Sequence, residues 1–195
     1  MTRKKTGSNL IFLEPAFSEI TSAKSDEIRP FFEVFVHDPE NLTQQNLGAL
    51  FGVLEITDHS EDSSYIVNYI ISEIKKEFYK NPKRGCVESF ESALHKANLC
   101  LSKLAQHENI AWIGKFNAFL GVIEKNNLHF SLTGNMLSLL IRNKNLSEIG
   151  EDMSEEGTAN PIKTFTDIAS GKLEEDDRIV IATPEISEIF SSQEI

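Results

Sequence analysis

Residues 116–149 read FNAFLGVIEKNNLHFSLTGNMLSLLIRNKNLSEI, and the fold class turns on this stretch. Phe116–Glu124 is apolar and rich in strand formers up to a turn at Lys125-Asn126-Asn127. Leu128–Thr133 then alternates: Leu128, Phe130 and Leu132 share one face, His129 and Ser131 the other, the period of a strand. His129 therefore points outward, toward solvent. Gly134-Asn135 breaks the chain again, Leu137–Ile141 runs on as a buried strand, and Arg142–Asn145 makes the next turn. Asn and Gly accept positive φ at little cost, so these breaks have a backbone cause. The pattern predicts an antiparallel meander.

Working outward, Phe31–His37 (FFEVFVH) is a strand by its aromatic and β-branched residues, stopped by Asp38-Pro39. Leu47–Ile56 (LGALFGVLEI) lacks alternation, which marks a strand covered on both faces. A helix follows the polar run Thr57–Ser64, with Asp62, Ser63 or Ser64 as its cap and Ile66, Ile70, Ile74 and Phe78 on one stripe. A second helix, about Val87–His107, carries Phe90, Leu94, Ala97, Leu101 and Leu104, and the pair is expected to pack together against the sheet. Leu10–Phe17 reads as a first strand and Met1–Asn9 as a disordered start. Pro161 to Gly171 predicts a short helix, Asp177–Ala182 a last strand, and Thr183-Pro184-Glu185 the start of a helix through Phe190. Residues 10–195 thus form a single domain, without repeats or low-complexity segments.

With 195 residues, 40% hydrophobic and 25% charged, the chain is long enough to bury a core without disulfides or metal. No apolar run reaches the roughly 18–20 residues of a membrane helix. Leu10–Leu13 is too short for a secretion-signal core, and two cysteines without metal-ligand spacing suit a reducing cytoplasm. The net charge of −11 is concentrated at one end: residues 146–195 hold thirteen acids against three bases. Glu148–Glu156 and Glu174–Asp177 read either as solvated loops or as a docking surface for a basic protein partner. Nucleic-acid binding is disfavoured, since counterion release needs clustered Lys and Arg.

The order of these elements resembles one family, the PPM-type (type 2C) metal-dependent serine/threonine phosphatases. Leu50-Phe51-Gly52-Val53-Leu54-Glu55 is similar to that family's strand ending Phe-Gly-Val-Phe-Asp-Gly-His, and Ala93–Leu101 to a pattern on its long helix. Trp112–Ile123, with Gly114 and Ala118 in place, resembles the Gly-Thr-Thr-Ala strand, and Leu132–Leu137 fills the slot of Val-Gly-Asp-Ser-Arg. Gly171–Leu173 with Asp177–Thr183 resembles the approach to the last Asp-Gly. The resemblance spans Phe31–Phe190. It implies an α+β, PPM-phosphatase-like four-layer α/β-β/α sandwich, with two antiparallel β-sheets flanked by helices. It also implies chemistry in which two divalent ions, held by carboxylates, activate a water that attacks phosphorus.

The chain departs from that pattern at each ligand slot. Glu55-Ile56 stands for the first Asp-Gly, neutral Asn135 for the meander Asp, and Pro184-Glu185 for the last Asp-Gly. No basic residue is securely placed to hold a phosphate, Arg29 being the nearest. The departures imply a pseudophosphatase: a regulatory or protein-interaction module with no catalytic, cofactor-binding or metal-binding residue. The alternative is a divergent Mn²⁺- or Mg²⁺-dependent phosphoprotein phosphatase with Glu55, Asp58 and Glu185 as metal ligands. Asp58, His59, Glu61 and Asp62 crowd around Glu55, but acids at a helix start also favour the helix dipole. Cys86, after Arg84-Gly85, reads as a residue of an interhelical turn rather than a reactive thiol. Trp112 reads as a packing anchor, and His37, His95 and His107 as turn or surface residues.

Overall fold

Strand β4 (Ala49–Ile56) is buried at every residue, as its unbroken apolar run requires, and the sheet grows from it. It pairs antiparallel with β3 (Phe31–His37) on one side and β5 (Phe116–Glu124) on the other. Strand β6 (Asn127–Thr133) and the short β9 (Ala169–Lys172) complete a five-stranded sheet of order β3-β4-β5-β6-β9. A second, three-stranded sheet has the order β10-β7-β8, from β7 (Leu137–Arg142), β8 (Asn145–Glu148) and β10 (Arg178–Ala182). A two-stranded ribbon joins β1 (Thr2–Lys5) to β2 (Ile11–Glu14), so Thr2–Lys5 takes strand form within the stretch read as a disordered start. The computed structural model describes residues 2–5, 11–21, 30–57, 60, 62–107, 110–153 and 163–186.

Alternation sorts the side chains of the larger sheet into two cores. Leu50, Leu54 and Ile56 of β4, with Ala118, Leu120 and Val122 of β5, face helices α2 (Ser63–Phe78) and α3 (Cys86–Gln106). Ile66, Ile70, Ile74 and Phe78 of α2 are fully buried there, as the i, i+4 stripe predicts. Each such side chain contributes about 1.5–3 kcal/mol on leaving water. Phe51, Val53, Phe119, Ile123, Leu128, Phe130 and Leu132 project the opposite way and meet Ile179 and Ile181 of β10. Helices, large sheet and small sheet are therefore successive layers, and among the described residues no helix covers the outer face of the small sheet. Trp112 is fully buried edge-on to Phe116, the anchor its position suggests.

Three expectations change. The run from Phe116 is not one continuous meander: β6 bonds to β5 and β9, while β7 bonds to β8 and β10, so the chain crosses between sheets at Gly134-Asn135. The helix expected from Pro161 to Gly171 is absent over its described part, because Ala169–Lys172 closes the open edge of β6. Ahead of that strand, Phe165 docks in the helix-side core, and its backbone N–H and C=O are both held by the Asn98 side chain (2.9 and 2.8 Å). His129, expected in solvent, is buried and bonded through Nδ1 to Ser170 Oγ (2.7 Å), since both faces of β6 are covered. A short helix α1 (Leu42–Gln45), capped by Asn41 Oδ1 accepting from the Thr43 N–H, was not foreseen.

Candidate functional site

The crossing between sheets builds a polar corner inside apolar surroundings. Glu55 is the seventh residue of β4 and points between the sheets by the same alternation that sends Leu54 and Ile56 to the helices. Register sets it directly across from Asn117 of β5. The Asn117 Nδ2 group donates to Glu55 Oε2 at 2.8 Å, and Asn117 Oδ1 accepts from the backbone N–H of Asn135 at 3.0 Å. One amide thereby joins β4, β5 and the β6–β7 crossing. Gly134 makes the approach possible: its φ is +71°, and a Cβ there would lie 2.1 Å from Asn117 Oδ1. No other residue fits that position without displacing the amide.

Glu55 is fully buried, and its Oε1 has no hydrogen-bond partner. The Glu185 carboxyl, in the turn after β10, lies close enough to act on the Glu55 carboxyl, and Glu185 Oε2 is likewise buried without a partner. Burial pushes the Glu55 carboxyl up to about 7; the Asn117 amide opposes this, and the charge and hydrogen bond of Glu185 reinforce it. At neutral pH the Glu55 carboxyl is therefore protonated for much of the time.

Of the three residues of the metal-binding alternative, the fold brings Glu55 and Glu185 together. Asp58 lies outside the described residues, as do His59, Glu61 and Arg29. Asn135 contributes its backbone N–H, while its side chain is exposed. Pro184 and Glu185 sit in a turn, and the rest of the helix expected through Phe190 lies outside the described residues. Asn117 is the residue that sequence reading missed. Its signal was a lone amide in the apolar strand Phe116–Glu124, and only the pairing register reveals its partner.

Among the described residues no group of three or more His, Cys, Asp or Glu side chains gathers as a metal ion would require. Among the described residues the corner offers two carboxyls and an amide already engaged, a set too small for two dications, whose charge needs several anionic oxygens each. Two orphaned oxygens do match one hard, oxygen-seeking ion. Elsewhere, Cys86 is buried at the start of α3 and its thiol is pushed up to about 12, mainly by burial, so no reactive thiolate forms there.

No protein-family model and no curated protein matches this sequence. Solved structures do. The Mycobacterium tuberculosis serine/threonine phosphatase PstP/Ppp superposes with a TM-score of 0.60 at 11% identity, covering 85% of this chain and 83% of its own. PppA, a regulatory component of the type VI secretion system in Pseudomonas aeruginosa, gives 0.58 at 9% identity, with 85% and 82% covered. A bacterial serine phosphatase gives 0.60 at 12% identity, with 87% and 82% covered. The fold is that of the PPM phosphatases. At these identities the likeness concerns architecture, and within the PPM fold this chain's corner is described by its own residues. The PstP catalytic domain has also been solved in complex with two manganese ions.

Proposed function

We propose that this PPM-fold domain has lost two-metal phosphoester hydrolysis and works as a regulatory module through contacts with another protein. The observation that carries this reading is Glu55: a buried acid with its pKa raised to about 7, set beside a second acid, Glu185, and tied to Asn117. An acid that is partly protonated at neutral pH is a weak grip for a dication, which binds only the ionised form. The acidic C-terminal quarter supports a basic protein partner, with one qualification: Asp177 and Glu174 are engaged internally by Arg142. A cytoplasmic location fits two free, buried cysteines, and no described helix is long and apolar enough to cross a membrane.

Aryl-phosphate hydrolysis with and without Mn²⁺, run beside Glu55→Ala, tests the proposal. The expected result is no metal-dependent turnover in either protein. Turnover that requires Mn²⁺ and disappears in Glu55→Ala would overturn it.

The second reading is a divergent Mn²⁺- or Mg²⁺-dependent phosphatase, and what favours it is the pair of partnerless oxygens, Glu55 Oε1 and Glu185 Oε2. Glu55 and Glu185 would then hold the ion, with Asp58 as a further ligand. A bound ion there would supply Lewis acidity toward a phosphoryl oxygen. The chain's own contribution would be to keep Glu55 aligned through Asn117 and to surround it with apolar walls.

A further inference from the structure

We propose that the outer edge of β3 is a self-association surface, on which β3 of a second copy of this chain pairs antiparallel. Three of the four strands at the edges of the two larger sheets are short: β9 and β8 have four residues and β10 five, whereas β3 has seven. Among the described residues β3 pairs only with β4, so its other side, on a strand of high β-propensity, has no strand neighbour among them. Such an edge is a template for another strand.

The charges on this edge favour a second copy over an unrelated strand. Glu33 and Phe35 share the helix-side face, two residues apart, and Lys75 of α2 places its Nζ over the Phe35 ring, 5.4 Å from the centroid. Neither Glu33 nor Lys75 makes an ion pair with another described residue. A register centred on Val34 pairs Phe32–Val36 with the same residues of a second β3. In it Glu33 falls directly opposite Phe35 of the second copy, and hence beside Lys75 of that copy. Directly opposed residues stand about 4.5–5.5 Å apart at Cβ, well within reach of these side chains. The two-fold axis repeats the contact, so two unmatched charges on one chain become two matched pairs across an isologous interface. On the other face Val36, 42% exposed, comes opposite Phe32 and adds apolar contact.

Sedimentation velocity over roughly 1–300 µM, the range suited to a small interface, provides the test. The wild-type chain is expected to pass from monomer to dimer within it. Glu33→Lys and Lys75→Glu, each checked for an unchanged melting transition, are expected to weaken the dimer by about tenfold or more, because each opposes like charges at both contacts. An equimolar mixture of the two variants is expected to regain wild-type association. In the mixed dimer the two substituted side chains, now of opposite charge, face each other at one contact, and the unaltered Glu33 and Lys75 meet at the other. A wild-type chain that stays monomeric overturns the proposal. So do single variants that dimerise like the wild type, or a mixture that fails to recover. Phosphatase activity plays no part in any of these readings.

Discussion

Two buried carboxylates lie at opposite fates in this molecule, Asp177 just before β10 and Glu55 near the end of β4. Asp177 is almost fully enclosed, yet Arg142 grips it with Nε at 2.9 Å and Nη2 at 2.6 Å, and the Glu174 N–H adds a third bond at 2.7 Å. Burial alone would push the Asp177 carboxyl up, but the Arg142 guanidinium and the Glu174 N–H outweigh it and hold the group below the usual carboxylate range. Glu55 has one amide donor, a second acid beside it and an oxygen with no partner, so its carboxyl rises instead. Burial is common to both; satisfaction is not. A carboxylate whose lone pairs are met contributes to the fold, whereas one left short of donors is held at the fold's expense, the usual mark of a site kept for another purpose.

Replacing each acid by its amide should expose the contrast most strongly at Glu55. A folded-state pKa raised to about 7 means the ionised form is penalised above that pH, and the penalty fades as the pH falls toward the unfolded value near 4.5. Glu55→Gln, which can accept from Asn117 and donate to Glu185, should therefore stabilise the protein at pH 8 by on the order of 3 kcal/mol. The gain should shrink toward zero by about pH 5. Urea unfolding at the two pH values measures both. A loss of stability at pH 8 would mean that something cationic rewards the ionised acid there, and the second functional reading would gain.

Gly134→Ala comes next. It forces a side chain into a left-handed backbone and onto Asn117 Oδ1, and should cost about 2 kcal/mol or more. If the amide is the link between the sheets, the same variant should raise the apparent pKa of Glu55 further, because the donor that favours its ionised form is displaced, read as a steeper loss of stability between pH 5 and 8. Asp177→Asn should act in the opposite sense to Glu55→Gln, destabilising by about 1 kcal/mol at neutral pH once solvent screening of the half-exposed Arg142 is allowed for. Because the Asp177 pKa is depressed, its contribution is present above the ordinary carboxylate range and is lost as the pH falls through the folded value. The difference between wild type and Asp177→Asn should thus vanish in acid, not in base. The smallest effect concerns Cys86, whose buried, high-pKa thiol should stay unmodified by iodoacetamide at pH 8 until the chain is unfolded.

Much of the fold was legible because period and composition act locally. The stripe Ile66, Ile70, Ile74 and Phe78 could form only a one-sided helix, and the all-apolar β4 could sit only between two layers. The meander was misread for a reason of the same kind: alternation shows which side chains share a face, but not which neighbour supplies the hydrogen bonds. Nothing local distinguishes a turn at Gly134-Asn135 that returns the chain to the same sheet from one that carries it to another. The helix expected before Gly171 failed likewise, since an unfilled sheet edge outweighed the caps that Pro161 and Gly171 offered.

By itself the sequence determined the central strands, the two amphipathic helices and the acidic C-terminal quarter. These follow from side-chain chemistry and from spacing along the chain. Only the tertiary structure decided that Glu55, Asn117 and Glu185 meet, that His129 is enclosed and that Asp177 is neutralised by Arg142. Those outcomes depend on register across strands and on contacts between residues as many as 130 positions apart, and a carboxyl's proton affinity is set by its neighbours in space rather than in sequence.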